Sequence, residues 1–360
     1  MGNGIMGSHT ASRASTPVLP AMFGRYKARV EQELSHSMTS AQDSSLYTLL
    51  RYHLGWTDRY GRAVAAPVSQ GKALRPTLCL FACEALGGDL TRALPAAAAL
   101  ELIHNFSLIH DDIQDRDVER RHQPTVWHLW GVARALVAGD AMQGLGDLAL
   151  LNTVRLGVSP ETSLKVSQLL TESCLEMIQG QCLDLEFEAR TSITTSDYLE
   201  MIACKTGALI RSGLEMGALL AADDPASSQA FARFGSCLGR VFQIRDDYLG
   251  IWGDEATTGK ATGNDIRRRK KSFPVVFALE RATGRAREDL LQIYSQPSLD
   301  EDDVARVLAV LDEVGAAAYA QQLTEESAHQ SLRALEAVSL PAWARAEVEE
   351  LVDFLARREY

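Results

Sequence analysis

Long apolar runs are missing from this 360-residue sequence: nowhere do eighteen apolar residues follow one another, the minimum for a membrane-crossing helix, and no secretory-type apolar segment is present. Cysteine is sparse as well. The six residues, at 79, 83, 174, 182, 204 and 237, form no CxxC pair, which speaks against a zinc site of that type and against a secreted disulfide framework. Cys79 and Cys83 share a helical face, but reduced core thiols are the ordinary outcome for such residues. An excess of positive charge is also lacking: 36 Lys and Arg stand against 47 Asp and Glu, a formal net charge of -11. General affinity for nucleic acid needs many cations to neutralise phosphates and is not expected. From these absences a cytoplasmic protein with no membrane span is expected.

Strict apolar/polar alternation, the mark of half-buried strands, is scarce too. Instead, Ala and Leu dominate long segments such as 93–109, 134–156 and 304–323, and the fold class read from them is all-α. Turns are expected near Gly87-Gly88, Val158-Ser159-Pro160, Asp224-Pro225 and Pro297-Ser298. No Gly/Ser-rich or Pro-rich linker divides the middle of the chain, and 46% hydrophobic residues suffice for one large core. Residues 1–20, rich in Gly, Ser, Thr and Pro, read as a disordered segment. Residues 21–360 read as one helical domain.

Chemistry is concentrated in Ser107-Leu108-Ile109-His110-Asp111-Asp112-Ile113-Gln114-Asp115. On a helix Asp111 and Asp115 share a face, where like charges repel. A hard divalent cation reverses the sign, and magnesium suits such a wall because it shares its ligand shell between carboxylates, water and phosphates. Alone, the triplet fits a solvated acidic face equally well. A second acidic pair lies far downstream in Phe242-Gln243-Ile244-Arg245-Asp246-Asp247-Tyr248-Leu249-Gly250. Basic residues follow both: Arg120 and Arg121 after the first, Lys260 and the run Arg267 to Lys271 after the second. Acids and cations in this combination point to a phosphorylated ligand, with metals bridging carboxylates to a diphosphate and Arg or Lys neutralising the remaining oxygens.

These segments resemble the trans-prenyltransferases, or polyprenyl diphosphate synthases. The likeness runs from Gly71-Lys72-Ala73-Leu74-Arg75-Pro76 through Glu101-Leu102-Ile103-His104, the DDIQD stretch and Arg120-Arg121. It continues through Gly180-Gln181-Cys182-Leu183-Asp184, Lys205-Thr206-Gly207 and Gln243 to Asp247, ending with Gly259-Lys260, Asp265, Lys270 and Pro274. The resemblance implies a single large helical bundle around a central active-site cavity, of the isoprenoid synthase type. It implies several Mg2+ ions bound with the substrate diphosphate by Asp111, Asp115 and Asp246, with Asp112 and Asp247 in support. Arg120, Lys205, Lys260 and Lys270 would hold the allylic diphosphate, and the oxygens of Thr206 and Gln243 would face the allylic cation. Isopentenyl diphosphate would bind to Lys72, Arg75, His104 and Arg121. Released pyrophosphate would accept the proton, and the family expectation is a homodimer.

Two positions depart from the pattern. Gly250 stands where the second motif commonly has a third Asp, and His122 follows the paired arginines where Gly is usual. Asp254 could replace the missing carboxylate through water, although a turn role fits it better. For product length, Phe106 lies five residues before Asp111, about 7.5 Å down a helix, with the smaller Ser107 beside it; one aromatic plug and an uninterrupted DDIQD resemble synthases of the twenty-carbon product, geranylgeranyl diphosphate. Alternatives are a farnesyl or longer-chain synthase, or a class I terpene cyclase on the same fold. A cyclase would need no isopentenyl diphosphate site, so Lys72, Arg75, His104 and Arg121 oppose it. His110, Trp127 and Trp130 are expected to pack.

Overall fold

The structure is a computed structural model that describes residues 19–38, 44–64, 73–190, 192–222, 224–254 and 262–358. Lys72, Lys260 and all but the last two residues of segment 1–20 lie outside the described residues. The N-terminal half comprises α1 (Ala21–Ser37), α2 (Ser45–His53), α3 (Leu74–Ala85), α4 (Leu90–Gln114), α5 (Val126–Trp130), α6 (Val132–Arg155) and α7 (Pro160–Ala189). Next come α8 (Thr195–Ile202), a single π-turn (Ala203–Gly207), α9 (Ala208–Ala221) and α10 (Pro225–Trp252). The chain closes with α11 (Asn264–Arg267), α12 (Phe273–Arg281), α13 (Gly284–Ser295), α14 (Glu301–Glu313), α15 (Ala316–Ala334) and α16 (Ala342–Arg357). All four expected turns fall between helices. Segment 304–323 is broken at Gly315, whose φ of 70° ends α14 and starts α15.

The all-α expectation holds, with an isolated antiparallel bridge between Thr57 and Ala63 and an antiparallel hairpin of β1 (Glu119–Arg120) and β2 (Gln123–Pro124) added among the described residues. Its two-residue turn, Arg121-His122, has φ of 53° and 62°, the left-handed geometry that a tight hairpin demands and that favours Gly. That requirement accounts for a Gly being usual at position 122; His122 adopts it at a cost.

The centre is built on α4. Ala96 to Ala99 and Leu100 are fully buried, so this helix is apolar on every side, as expected of one enclosed by others. Small side chains let its neighbours approach, and α4 packs extensively on α6 and also on α3 and α9. Asp89 caps its start by accepting from the Thr91 N–H. α10 is the second long central helix, packed on α9 and α15. Both carry their aspartates near the C-terminal end, where the helix dipole is already negative and carboxylates are destabilised. This opposes local preference and raises the demand for a cation.

A second apolar cluster, including Ile251, Val275, Leu290 and Leu311, backs the end of α10; a third joins Phe187, Tyr198, Ile244 and Phe273. Cys79 and Cys83 are buried in the main core, and burial pushes the Cys83 thiol up to about 12, so both serve as packing groups. Among the described residues no helix is long and apolar enough to cross a membrane.

Candidate active site

The first acidic wall is the end of α4. Burial raises the Asp111 carboxyl to about 6, Lys205 opposes that rise, and Asp115 and Asp184 reinforce it. Asp112 points the other way, is almost fully buried, and accepts a 2.7 Å hydrogen bond from Arg120 Nε. Burial lifts it to about 6 despite that partner. The hairpin therefore presents Arg120 to the wall through Asp112, while Asp111 and Asp115 are left for another cation.

The second wall is the last two turns of α10. Asp247 is fully buried and accepts from Tyr198 Oη, Gln243 Nε2 (3.1 Å), the Phe273 N–H (3.1 Å) and Lys270 Nζ (3.4 Å). Such a fully engaged carboxylate positions its neighbours and has no room for a direct metal role. Asp246 is the exposed member of the pair, with Arg358 Nη2 3.3 Å from its Oδ1. Burial alone would lower the Lys270 ammonium; Asp247 and Asp265 outweigh it and hold the charge on.

Lys205 comes from the π-turn, a local widening that recurs at functional sites. Its Nζ donates to Asp184 Oδ2 at 2.5 Å, and Asp184, Asp111 and Asp115 more than offset its burial to raise its pKa. Gly180 makes the placement possible: a Cβ there would lie 2.2 Å from the Lys205 backbone nitrogen. Thr206 Oγ1 donates to Gln243 Oε1 at 2.8 Å, joining the turn to α10.

These groups border two connected spaces. A polar basin of about 730 Å³ is lined by Asp115, Asp184, Lys205, Asp246, Asp265 and Lys270, among others. It shares Gln114, Lys205 and Asp246 with a cavity of about 610 Å³ whose wall includes Asp111, Thr206 and Gln243. Phe106, Met177, Ile178, Leu185 and Phe242 give that cavity its apolar surface. The two acidic walls thus meet at one mouth. Phe106 packs edge-on against His110, ring centroids 5.2 Å apart; the neighbouring Ser107 lines the same cavity and donates to the His104 carbonyl at 2.8 Å.

A basic group lies on the far side. Arg75, His104, Arg120 and Arg121 also line the apolar cavity. Burial lowers the Arg75 guanidinium to about 10, with Glu101 as its counter-charge, and leaves its Nε without a hydrogen-bond partner among the described residues. His104 is held well below its ordinary value by burial, then by Arg75 and Arg121. It is therefore a neutral N–H donor at pH 7, and the arginines carry the charge.

The basic run divides its labour. Arg267 pairs with Glu301 at 2.7 Å, Arg268 with Asp117, and Lys271 Nζ donates to the carbonyls of Phe187, Glu188 and Arg190 at 2.7, 2.9 and 2.5 Å, tying off the end of α7. Sequence reasoning left Asp184, Asp265, Tyr198 and Arg358 without roles; Asp184 and Asp265 had a signal, since both stand in the quoted segments. Trp127 Nε1 donates to the Asp117 carbonyl at 2.8 Å and Trp130 packs edge-on against Tyr52, both as packing residues.

A helical bundle in which two aspartate-bearing helix ends face one basin, with a greasy chamber behind it, defines a class of protein that binds a diphosphate at the mouth and an apolar tail within. The chain belongs to the polyprenyl synthetase family, which it matches over residues 58–311. It is 39% identical to the geranylgeranyl diphosphate synthase of Mycobacterium tuberculosis over 94% of each chain. It is 36% identical to the (2E,6E)-farnesyl diphosphate synthase of the same species over 89% of each. Its fold matches the crystal structure of geranylgeranyl pyrophosphate synthase from Corynebacterium glutamicum complexed with isoprenyl diphosphate and magnesium, with a TM-score of 0.80 and 27% identity, covering 95% of this chain and 100% of that one.

Proposed function

We propose that this protein condenses isopentenyl diphosphate with allylic diphosphates and that its main product is geranylgeranyl diphosphate. The observation that carries the reading is the one cavity lined by Asp111, Asp246 and Lys205 together with apolar side chains.

The donors fit magnesium: hard carboxylate oxygens on two helix ends, with Asp111 raised by its burial and, against the pull of Lys205, by the neighbouring Asp115. Asp111, Asp115 and Asp246 would hold it as more than one ion. Bound there, it supplies charge neutralisation to the departing diphosphate. Lys205 and Lys270, with Lys260, bind the diphosphate oxygens as point charges. Asp184 and Asp247 keep the first two in place. Once the carbon–oxygen bond breaks, the allylic cation lies among Phe242, Met177, Ile178 and Leu185, which exclude water. Thr206 and Gln243 offer fixed dipoles and no strong nucleophile, and their mutual hydrogen bond holds them still.

Isopentenyl diphosphate is held by Arg75 and Arg121, with Lys72 and neutral His104, so that its double bond meets the cation. Holding both reactants in register converts an encounter into an intramolecular step. The proton lost after bond formation goes to the released pyrophosphate. Phe106, backed by His110, forms the end wall that stops growth at twenty carbons. A homodimer is part of this reading: Leu148, Leu151, Leu164 and Leu175 are 58–70% exposed on α6 and α7, more apolar surface than solvated helices usually leave bare.

Purified protein incubated with magnesium, isopentenyl diphosphate and dimethylallyl, geranyl or farnesyl diphosphate, followed by mass spectrometry, tests the proposal. Diphosphates extended to twenty carbons support it. Hydrocarbons would indicate a cyclase, and no turnover of any starter would overturn it.

A further inference from the structure

An ion pair joins the segments that follow the two acidic walls. Asp117 comes two residues after Asp115, which ends α4, and Arg268 directly follows α11. Arg268 Nη2 donates to Asp117 Oδ1 although the two residues stand 151 positions apart in the chain. Arg268 lines the basin. Its neighbours in the basic run are committed elsewhere: Arg267 to Glu301, Arg269 to the Tyr294 and Pro297 carbonyls at 3.1 and 3.4 Å, and Lys271 to the end of α7. Among the described residues Asp117 is the one side-chain partner of Arg268, whose side chain stays 50% exposed.

The backbone is fixed at both ends of this tie. The Asp117 N–H donates to the Asp112 carbonyl at 3.0 Å, and the Asp117 carbonyl accepts from Thr125 Oγ1 and Trp127 Nε1 at 2.7 and 2.8 Å. The Arg268 N–H donates to the Asn264 carbonyl at 3.1 Å. What remains free to move is the long, half-exposed Arg268 side chain. Burial raises the Asp115 carboxyl, Lys205 and Arg268 oppose that rise, and Asp117 and Asp184 add to it, so the guanidinium already stands close enough to act on the first acidic wall. An exposed ion pair holds its partners by a factor of about five at most. A diphosphate carries more negative charge than one carboxylate and offers paired oxygens that match the guanidinium fork. Hydrogen bonds to charged groups of that kind are worth about tenfold or more in affinity, so a diphosphate in the basin outcompetes Asp117.

We infer that Arg268 is a clasp that changes partner: in the empty basin it is parked on Asp117, and when a diphosphate enters it leaves Asp117 and grips the ligand, closing over it. Resting on the proposed function, this adds Arg268 to the groups that hold the diphosphate. Asp117 becomes a positioning residue that keeps the guanidinium back from Asp115 until the ligand arrives.

Calorimetric titration of inorganic pyrophosphate into the full-length protein, saturated with magnesium, reads binding without turnover. Arg268→Gln should weaken binding about tenfold. Asp117→Ala should tighten it about threefold, because Arg268 no longer has a partner to leave. In D117A/R268Q that gain should vanish, leaving the affinity of Arg268→Gln alone, since Asp117 acts only through Arg268. A pair that merely braced the fold would instead weaken binding in both single variants. Should urea titration show that either single variant does not fold, Arg268→Met and Asp117→Asn carry the same expectations. Wild-type affinity in Arg268→Gln overturns the inference. So does Asp117→Ala that binds no tighter than wild type, or a gain from Asp117→Ala that persists without Arg268. Wild-type protein that binds no pyrophosphate with magnesium would instead refute the functional reading itself.

Discussion

Gly180→Ala puts one methyl group where the chain has no space, and its effect can be worked out from distances. The new Cβ would lie 2.2 Å from the Lys205 nitrogen and 2.6 Å from its Cα, both backbone atoms that cannot swing aside as a side chain would. Ordinary contact begins near 3.4 Å, so α7 and the π-turn must part by about 1.2 Å. Overpacking of this kind costs about 1–3 kcal/mol of stability. The sharper consequence is catalytic. Lys205 holds a 2.5 Å bond to Asp184 and stands where basin and cavity meet, so a displacement of this size should lower kcat about a hundredfold, as misplacements near 1 Å can do. Steady-state kinetics with farnesyl and isopentenyl diphosphates, alongside urea unfolding, measure both. Because the change acts through Lys205, G180A added to K205A should cost little more in kcat than K205A alone. A Gly180→Ala enzyme that folds and turns over at the wild-type rate would refute the idea that this close packing positions the lysine.

Phe106→Ala should extend the product beyond twenty carbons by mass spectrometry, since it opens the end wall; an unchanged product would remove Phe106 from chain-length control. His53 is held down to about 3 by burial, then by Arg121 and Arg120. Above its ordinary value of 6.5 it is neutral folded or unfolded and has no effect; between 6.5 and 3 only the unfolded chain takes the proton, so stability falls as pH falls. His53→Gln should therefore lose about 2 kcal/mol less than wild type between pH 7 and pH 5 in urea unfolding, and parallel losses would contradict this. His122→Gly should raise stability by about 0.5–1 kcal/mol by relieving the left-handed strain at φ 62°, seen as a higher urea midpoint; a lower midpoint would show that the His122 side chain contributes more than its backbone costs.

The helical class was legible because Ala- and Leu-rich segments without alternation leave few alternatives, and the expected turns fall at Gly and Pro positions. The hairpin was not, since two-residue strands have no periodicity to detect. Its signal was His122 in a place where Gly is usual, which is a statement about φ. Asp111, Asp115 and Asp246 stood out as acids in apolar surroundings. Their partners Asp112 and Asp247 looked the same in sequence, yet they turn inward to Arg120 and to Tyr198, Lys270 and Phe273. A helix rotates each successive residue by about 100°, so neighbours in sequence face different surroundings. Which surroundings those are depends on helices packed from elsewhere in the chain.

Sequence by itself determined the chemistry available: two acidic segments, the cations that follow each, and enough apolar helix to enclose a tail, because charge and hydrophobicity belong to side chains wherever they sit. Only the tertiary structure decided which acids face the basin and how Gly180 and the π-turn deliver Lys205. These are matters of close approach between segments distant along the chain, and packing alone sets them.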